Sequence, residues 1–167
     1  MRTSRWVFAA LLVAVVAQAV VYYPQLPERM ASHFNGAGEP DGWSSKASFF
    51  GLQAFVVSVV AACFAILPAW IQRLPARLIN LPNKDYWLAP ERRAATMARV
   101  GAALTWFGCA VLTFILAVIW LVIRFNLGLD PVLPAPTLRA VLAGLVVCVV
   151  LLVLRLLYLG RRPPPLN

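Results

Sequence analysis

The sequence predicts an all-α, polytopic integral membrane protein, with four transmembrane helices in a bundle and an ordered outer loop between the first two. Three observations predict it. Four long apolar runs, residues 6–23, 49–71, 100–123 and 140–159, each approach the roughly 20 helical residues needed to cross a hydrocarbon core about 30 Å thick. The 167 residues are 62% hydrophobic, more apolar surface than a soluble domain of this length could bury within itself, so residues 1–167 read as one membrane domain. The third observation is the placement of the 15 Lys and Arg residues. Arg2 and Arg5 precede the first run, six basic residues lie between the second and third, and Arg155, Arg161 and Arg162 lie at the end. Arg29, Lys46, Arg124 and Arg139 fall on the other side. Short loops rich in Lys and Arg stay cytoplasmic during insertion. The bias therefore predicts both termini and the 72–99 connection in the cytoplasm, and loops 24–48 and 124–139 outside. The net charge of +9 is then an orientation signal with an attraction to anionic lipid, rather than a nucleic-acid footprint.

Taken in order, the first run carries one polar residue, Gln18, and Pro24 ends it at the interface. Arg2, Arg5 and the small residues around Ala17–Ala19 resemble a secretory leader. The apolar stretch continues past that site through Tyr23, so retention as a span is expected. Residues 24–48 change abruptly to turn chemistry. Asn35-Gly36, Gly38, Pro40 and Asp41-Gly42 all permit reversals, and a compact, folded-back loop is expected. Ser44 or Ser45 is placed to cap the second helix, with Trp43 in the interfacial belt.

Pro68 should bend or end the second span near its inner side. In the basic connection, Pro90-Glu91 suits the first turn of the third helix, because proline lacks a donor that would be unpaired there and an acid complements the positive dipole end. Tyr86 and Trp87 anchor the approach to it at the headgroups. Gly101, Ala102, Gly108, Ala140 and Gly144 permit close helix contacts, and Ala140 with Gly144 has the spacing of a small-residue face for oligomers. Arg155 reaches toward the inner interface, and residues 161–165 form an extended tail. Cys63, Cys109 and Cys148 lie inside spans, read as buried small apolar groups, and suggest neither disulfides nor a thiolate metal site.

Deep positions carry only weak polar groups such as Gln53, Ser58, Thr105 and Thr113, which argues against a pump, because ion paths need charged or titratable partners in hydrocarbon. A single histidine rules out a His-Glu-x-x-His metalloprotease. No catalytic residue, metal or cofactor is assigned, and the protein reads as non-enzymatic. The dense polar constellation is the outer loop, with His33, Asn35, Gly38, Glu39, Asp41 and Lys46 interleaved with Phe34 and Trp43. Three readings compete for it. These groups tie down the loop, with Lys46 paired to Glu39 or Asp41. Alternatively, the loop recognises an external ligand such as a peptide, with Phe34 and Trp43 as anchors. In the third, His33 with Glu39 or Asp41 holds a metal, although the spacing fits no standard pattern.

These loop residues also carry a resemblance. Leu26-Pro27, His33-Phe34-Asn35, Gly38 to Trp43 and Lys46 resemble the signature of a bacterial membrane domain of unknown function, which also forms the N-terminal part of SdpI-type proteins. Pro82-Asn83-Lys84, Tyr86-Trp87 and Pro90 to Arg93 are similar to an accompanying cytoplasmic motif, and make Asn83, Tyr86, Trp87, Glu91 and Arg92 the inner candidate residues. SdpI-type proteins protect their host from a secreted killing peptide, and the founding type also holds a repressor at the membrane. The resemblance thus implies immunity or signal transduction, with an external peptide and a cytosolic regulator as partners. Full members carry a further C-terminal hydrophobic module that these four spans do not include. The alternative is a small transport or membrane-enzyme accessory subunit whose outer loop caps a cavity between helices.

Overall fold

The computed structural model describes residues 2–161. Four of its helices are long and apolar enough to cross a membrane, which makes this a multi-pass membrane protein. Helix α1 spans Arg2–Tyr22 and closes in a 3-10 turn, Tyr23–Gln25, that contains Pro24. The compact, folded-back loop expected next takes the form of an antiparallel hairpin, β1 (Arg29–Phe34) and β2 (Pro40–Ser45). Helix α2 (Lys46–Trp70) follows directly, capped by Ser45, whose Oγ accepts from the Ser48 N–H. Pro68 lies two residues before the last α2 position. Beyond it the chain turns through two 3-10 segments, Ile71–Arg73 and Ala76–Leu78, and a one-turn helix α3 (Lys84–Trp87). Helix α4 starts at Pro90, as the sequence predicts, and runs to Asn126; α5 spans Ala135–Leu159. Beyond Arg161, the tail expected over 161–165 lies outside the described residues.

The bundle is organised around α4, on which α1, α2 and α5 each pack, whereas α1 and α2 barely touch each other. Glycine lets α4 take this central place. A Cβ at Gly108 would fall 2.7 Å from the Phe64 ring and 2.9 Å from Phe8, so both flanking helices press an aromatic side chain against bare backbone there. Gly101 similarly admits Pro68. The small residues of α5 act differently, because nothing lies within 4 Å of a Cβ built on Gly144. Of the three cysteines, Cys109 is buried, while Cys63 is exposed and Cys148 half-buried. The expectation of three buried thiols is corrected accordingly: only Cys109 is enclosed by the bundle, and Cys63 lies on its surface.

At 37 residues α4 is about 55 Å long, well beyond the hydrocarbon thickness. Its two overhangs give the polar segments something to fold against. At one end Leu26, Met30 and Phe50 pack with Leu121, Val122, Ile123 and Leu133, so the hairpin shares a core with the end of α4. At the other, Ile79, Leu81 and Leu88 pack on Met97 and Val100. These are called below the hairpin end and the basic end.

Candidate functional site

The hairpin is built by its turn and its anchors. In the turn, Asn35 Oδ1 accepts from the N–H groups of Ala37 (2.9 Å) and Glu39 (3.0 Å), while its Nδ2 donates to Glu39 Oε2 (3.0 Å). A single side chain thereby replaces several backbone bonds, the local device for which asparagine is favoured in turns. Gly38 has φ +86° and a Cβ there would sit 2.1 Å from the Leu133 carbonyl oxygen, so both the dihedral and the packing require glycine. The Gly38 carbonyl in turn accepts from the Leu133 N–H at 2.9 Å, pinning the turn to the α4–α5 connection.

Asn126, the last residue of α4, holds the side of β1. Its Oδ1 accepts from the Ala31 N–H at 2.8 Å and its Nδ2 donates to the Ala31 carbonyl at 3.0 Å, as a neighbouring strand would. Ala31 is fully buried, so these groups have no water to turn to. Beside the same anchor, Arg124 donates two bonds to Asp130, at 2.7 and 3.1 Å, across the start of the connection. These bonds hold the Asp130 carboxyl below the usual carboxylate range, with partial desolvation opposing them and the nearby positive charge assisting.

Lys46 fastens the base of the hairpin. Its ammonium lies 2.9 Å from Glu28 Oε1, donates to the Leu26 carbonyl at 3.3 Å and sits 4.9 Å from the centre of the Tyr23 ring. A cation in the first turn of a helix opposes the dipole. Glu28 supplies the offsetting charge, and the pair joins the entry of the hairpin to its exit. The expected pairing of Lys46 with Glu39 or Asp41 is therefore wrong: Glu39 is at the far tip, held by Asn35, and Asp41 faces His33. Phe34 is likewise not an exposed anchor, since its ring packs edge-on against Phe125 with centroids 5.0 Å apart.

What remains outward is compact. His33 Nδ1 lies within hydrogen-bonding distance of Asp41 Oδ1, with the two side chains 74% and 44% exposed. Trp43 is half exposed, and the Arg29 guanidinium stands 5.8 Å from its ring centre. Gly42 faces His33 across the ladder, where a Cβ would come within 2.8 Å of the histidine Cβ. Among the described residues no group of three or more His, Cys, Asp and Glu side chains is gathered to hold a metal.

Beneath the hairpin, Ser32, Ser44, Ser48 and Gln53 contribute polar atoms to an otherwise apolar cleft of about 400 Å³ between α2 and α4. Ser44 Oγ and both amide atoms of the buried Gln53 have no hydrogen-bond partner among the described residues. A second cleft of about 510 Å³ separates α1 from α2 and has Gln53 in its wall as well.

At the basic end, Asn83 adopts a left-handed conformation (φ 53°) and donates from Nδ2 to the Gly160 carbonyl at 2.8 Å. Trp87 Nε1 donates to the Arg161 carbonyl at 3.1 Å. Arg92 donates to the Tyr86 carbonyl (2.9 Å) with its guanidinium 4.0 Å from the Tyr86 ring centre, and Arg93 bonds the Leu74 carbonyl. Four of the five inner candidates thus clasp the connection to the ends of α4 and α5. Glu91 is exposed in the first turn of α4.

Residues 9–57 match the family model of a domain of unknown function (DUF1648). The match takes in most of α1, the hairpin and the first half of α2. No curated protein and no solved structure matches the chain. Asn126 and Leu133, which fix the hairpin from outside the matched segment, were not singled out from the sequence. The signal was an amide-bearing residue at the end of an apolar run, just before a Gly- and Pro-rich turn.

Proposed function

We propose that this is a non-enzymatic inner-membrane recognition protein of the SdpI-related kind, in which the hairpin meets an external peptide. In this reading both termini and the basic end face the cytoplasm, as the charge bias predicts. One observation carries it: the groups that hold the hairpin and the groups it presents are different residues. Gly38 and Lys46 are packed against their own chain, and Asn35 and Glu39, although exposed, are bonded within the turn, whereas His33, Asp41 and Trp43 stand on the outward face of the strands. The backbone geometry favours an extended ligand. Ala31 spends its N–H and C=O on Asn126, so it and its partner Trp43 form a pair that does not bond across the ladder. The main-chain groups of Trp43 therefore point to the free edge of β2. A peptide adding there as a third strand would bond those groups and pass the Trp43 ring and the His33–Asp41 pair. In the signalling form of this role, a cytosolic regulator docks at the basic end, where Tyr86, Trp87, Glu91 and Arg92 meet lipid headgroups.

The test is a photo-crosslinking side chain at position 43 in the whole protein in its own membrane, together with H33A and D41A assayed for folded yield and for host survival under peptide challenge. Trapping of a small external peptide, and variants that fold but no longer protect, support the proposal. A crosslinker that finds only lipid or the chain itself, or variants that behave as the parent in both assays, overturn it. The second reading, an accessory subunit whose hairpin caps an interhelical cavity, is favoured by the unpartnered Ser44 and Gln53 in the cleft below. There Q53L would abolish function while H33A would not.

A further inference from the structure

The seam between α4 and α5 opens, toward the basic end, into a cleft of about 420 Å³, separate from the hairpin and from the clasp around Asn83. Its walls are Ala103, Trp106 and Ala110 from α4 and Cys148 and Leu151 from α5, with Arg155 at the end nearest the helix terminus. The small side chains on α4 leave the space, and the half-exposed Trp106 ring forms one side. Arg155 is exposed and has no hydrogen-bonding or ionic partner among the described residues. It lies four residues before the last residue of α5, about 6 Å along the helix axis, so its guanidinium reaches the headgroup level. Arg99 precedes Ala103 by four residues and Trp106 by seven, which puts it on the same face of α4, one turn nearer the same end. It too has no such partner among the described residues. Glu28, Glu39, Asp41 and Asp130 all belong to the hairpin end, leaving Asp85 and Glu91 against many more Lys and Arg at this one.

We infer that this cleft is a binding site for one anionic phospholipid, its phosphate held between Arg155 and Arg99 and the upper part of one acyl chain lying between α4 and α5. Charge complementarity selects the occupant. A guanidinium at the membrane surface with no carboxylate in reach recruits a phosphate, to which it bonds in bidentate fashion. A zwitterionic lipid brings its own cation toward two arginines, so a net negative headgroup is preferred. From Arg155 to Cys148 the groove runs about 10 Å, enough for the first part of a chain. This site is independent of the hairpin and stands or falls separately from the recognition role.

The full-length protein, purified in detergent, would be titrated with phosphatidylglycerol and with phosphatidylcholine, and retained lipid counted by native mass spectrometry. One phosphatidylglycerol should stay bound in preference to phosphatidylcholine, and inorganic phosphate should not displace it. R155Q should weaken retention by about fivefold or more, the scale expected for one basic group at an anionic headgroup. R155K should weaken it less. A110L, which fills the groove without changing charge, should weaken it as well, while R139Q at the opposite end should not. Equal retention of the two lipids, displacement by inorganic phosphate, unchanged retention in R155Q, or an equal loss in R139Q would each overturn the site.

Discussion

Replacing Asn126 by alanine tests the central structural claim, that the last side chain of α4 acts as a substitute strand for β1. Asn126 makes three bonds: to the N–H and C=O of Ala31 and to the carbonyl of Val122. The Val122 bond is a local i to i−4 contact beside an existing helical bond, so its loss is minor. The Ala31 groups are different, because Ala31 is fully buried and both are left without partners. An unsatisfied buried donor or acceptor costs about 1–3 kcal/mol, so the two together cost roughly 2–6 kcal/mol, with the low end applying where a water enters. The penalty falls on the docked hairpin and not on the spans, whose cores lie elsewhere. Hydrogen exchange of the reconstituted protein reads it directly: the Ala31 amide should exchange about thirtyfold faster or more, at about 1.4 kcal/mol per tenfold, while α4 amides near Leu112 keep their protection. N126D should not rescue, since it sets a second oxygen against the Ala31 carbonyl. If N126A leaves Ala31 exchange unchanged, β1 is held by its apolar packing alone and the substitute-strand account is wrong.

Three further outcomes follow from the same geometry. G38A must accept a left-handed φ at about 1–2 kcal/mol and break the bond between Gly38 and Leu133 at about 1 kcal/mol, so roughly 2–3 kcal/mol of hairpin docking is lost, whereas G36A, with nothing within 4 Å, is near neutral; exchange at the Leu133 amide separates them. N83A, which loses both the left-handed preference and the bond to Gly160, should speed tryptic cleavage after Arg161 more than N83G, which loses only the bond; equal rates would dissociate the Asn83 conformation from the clasp. Asp130, with its carboxyl depressed by Arg124, stabilises the turn fully above the unfolded value of about 3.9, and that contribution fades as pH falls below it through the folded value; an acid titration of turn amides should show this loss in the parent and not in D130N.

The four spans were legible because hydrocarbon imposes a length and composition that few other structures share, and the Ser45 cap and Pro90 start because each answers a local need of a helix end. The hairpin was legible as compact but not as strands. Its β1 residues, Arg-Met-Ala-Ser-His-Phe, do not alternate in burial: Met30 and Ala31, successive in the regular part of the ladder, are both buried, and the register shifts on either side of His33 break the period beyond them. Asp41-Gly42 reads as a reversal yet lies within β2, where the glycine instead admits the His33 Cβ. Pairings were less visible still. Lys46 had nearby carboxylates on the tip side, but Glu28 is brought against it only when the hairpin closes. Asn126 meets Ala31 across 95 residues of sequence, a separation that composition and spacing cannot bridge.

The division between holding and presenting residues makes one more prediction that bears on the proposed role. His33 and Asp41 form a cross-strand pair so exposed that solvent screens it, and such pairs contribute between zero and about 1 kcal/mol. H33A, D41A and the double variant should therefore keep parental exchange protection at Ala31, within about fivefold, while N126A and G38A do not. A hairpin maintained by its pins and indifferent to its outward pair has a surface whose chemistry is free to serve a partner. If H33A instead releases Ala31 as N126A does, the pair is itself one of the fastenings, and the outward face loses the independence on which the recognition role rests.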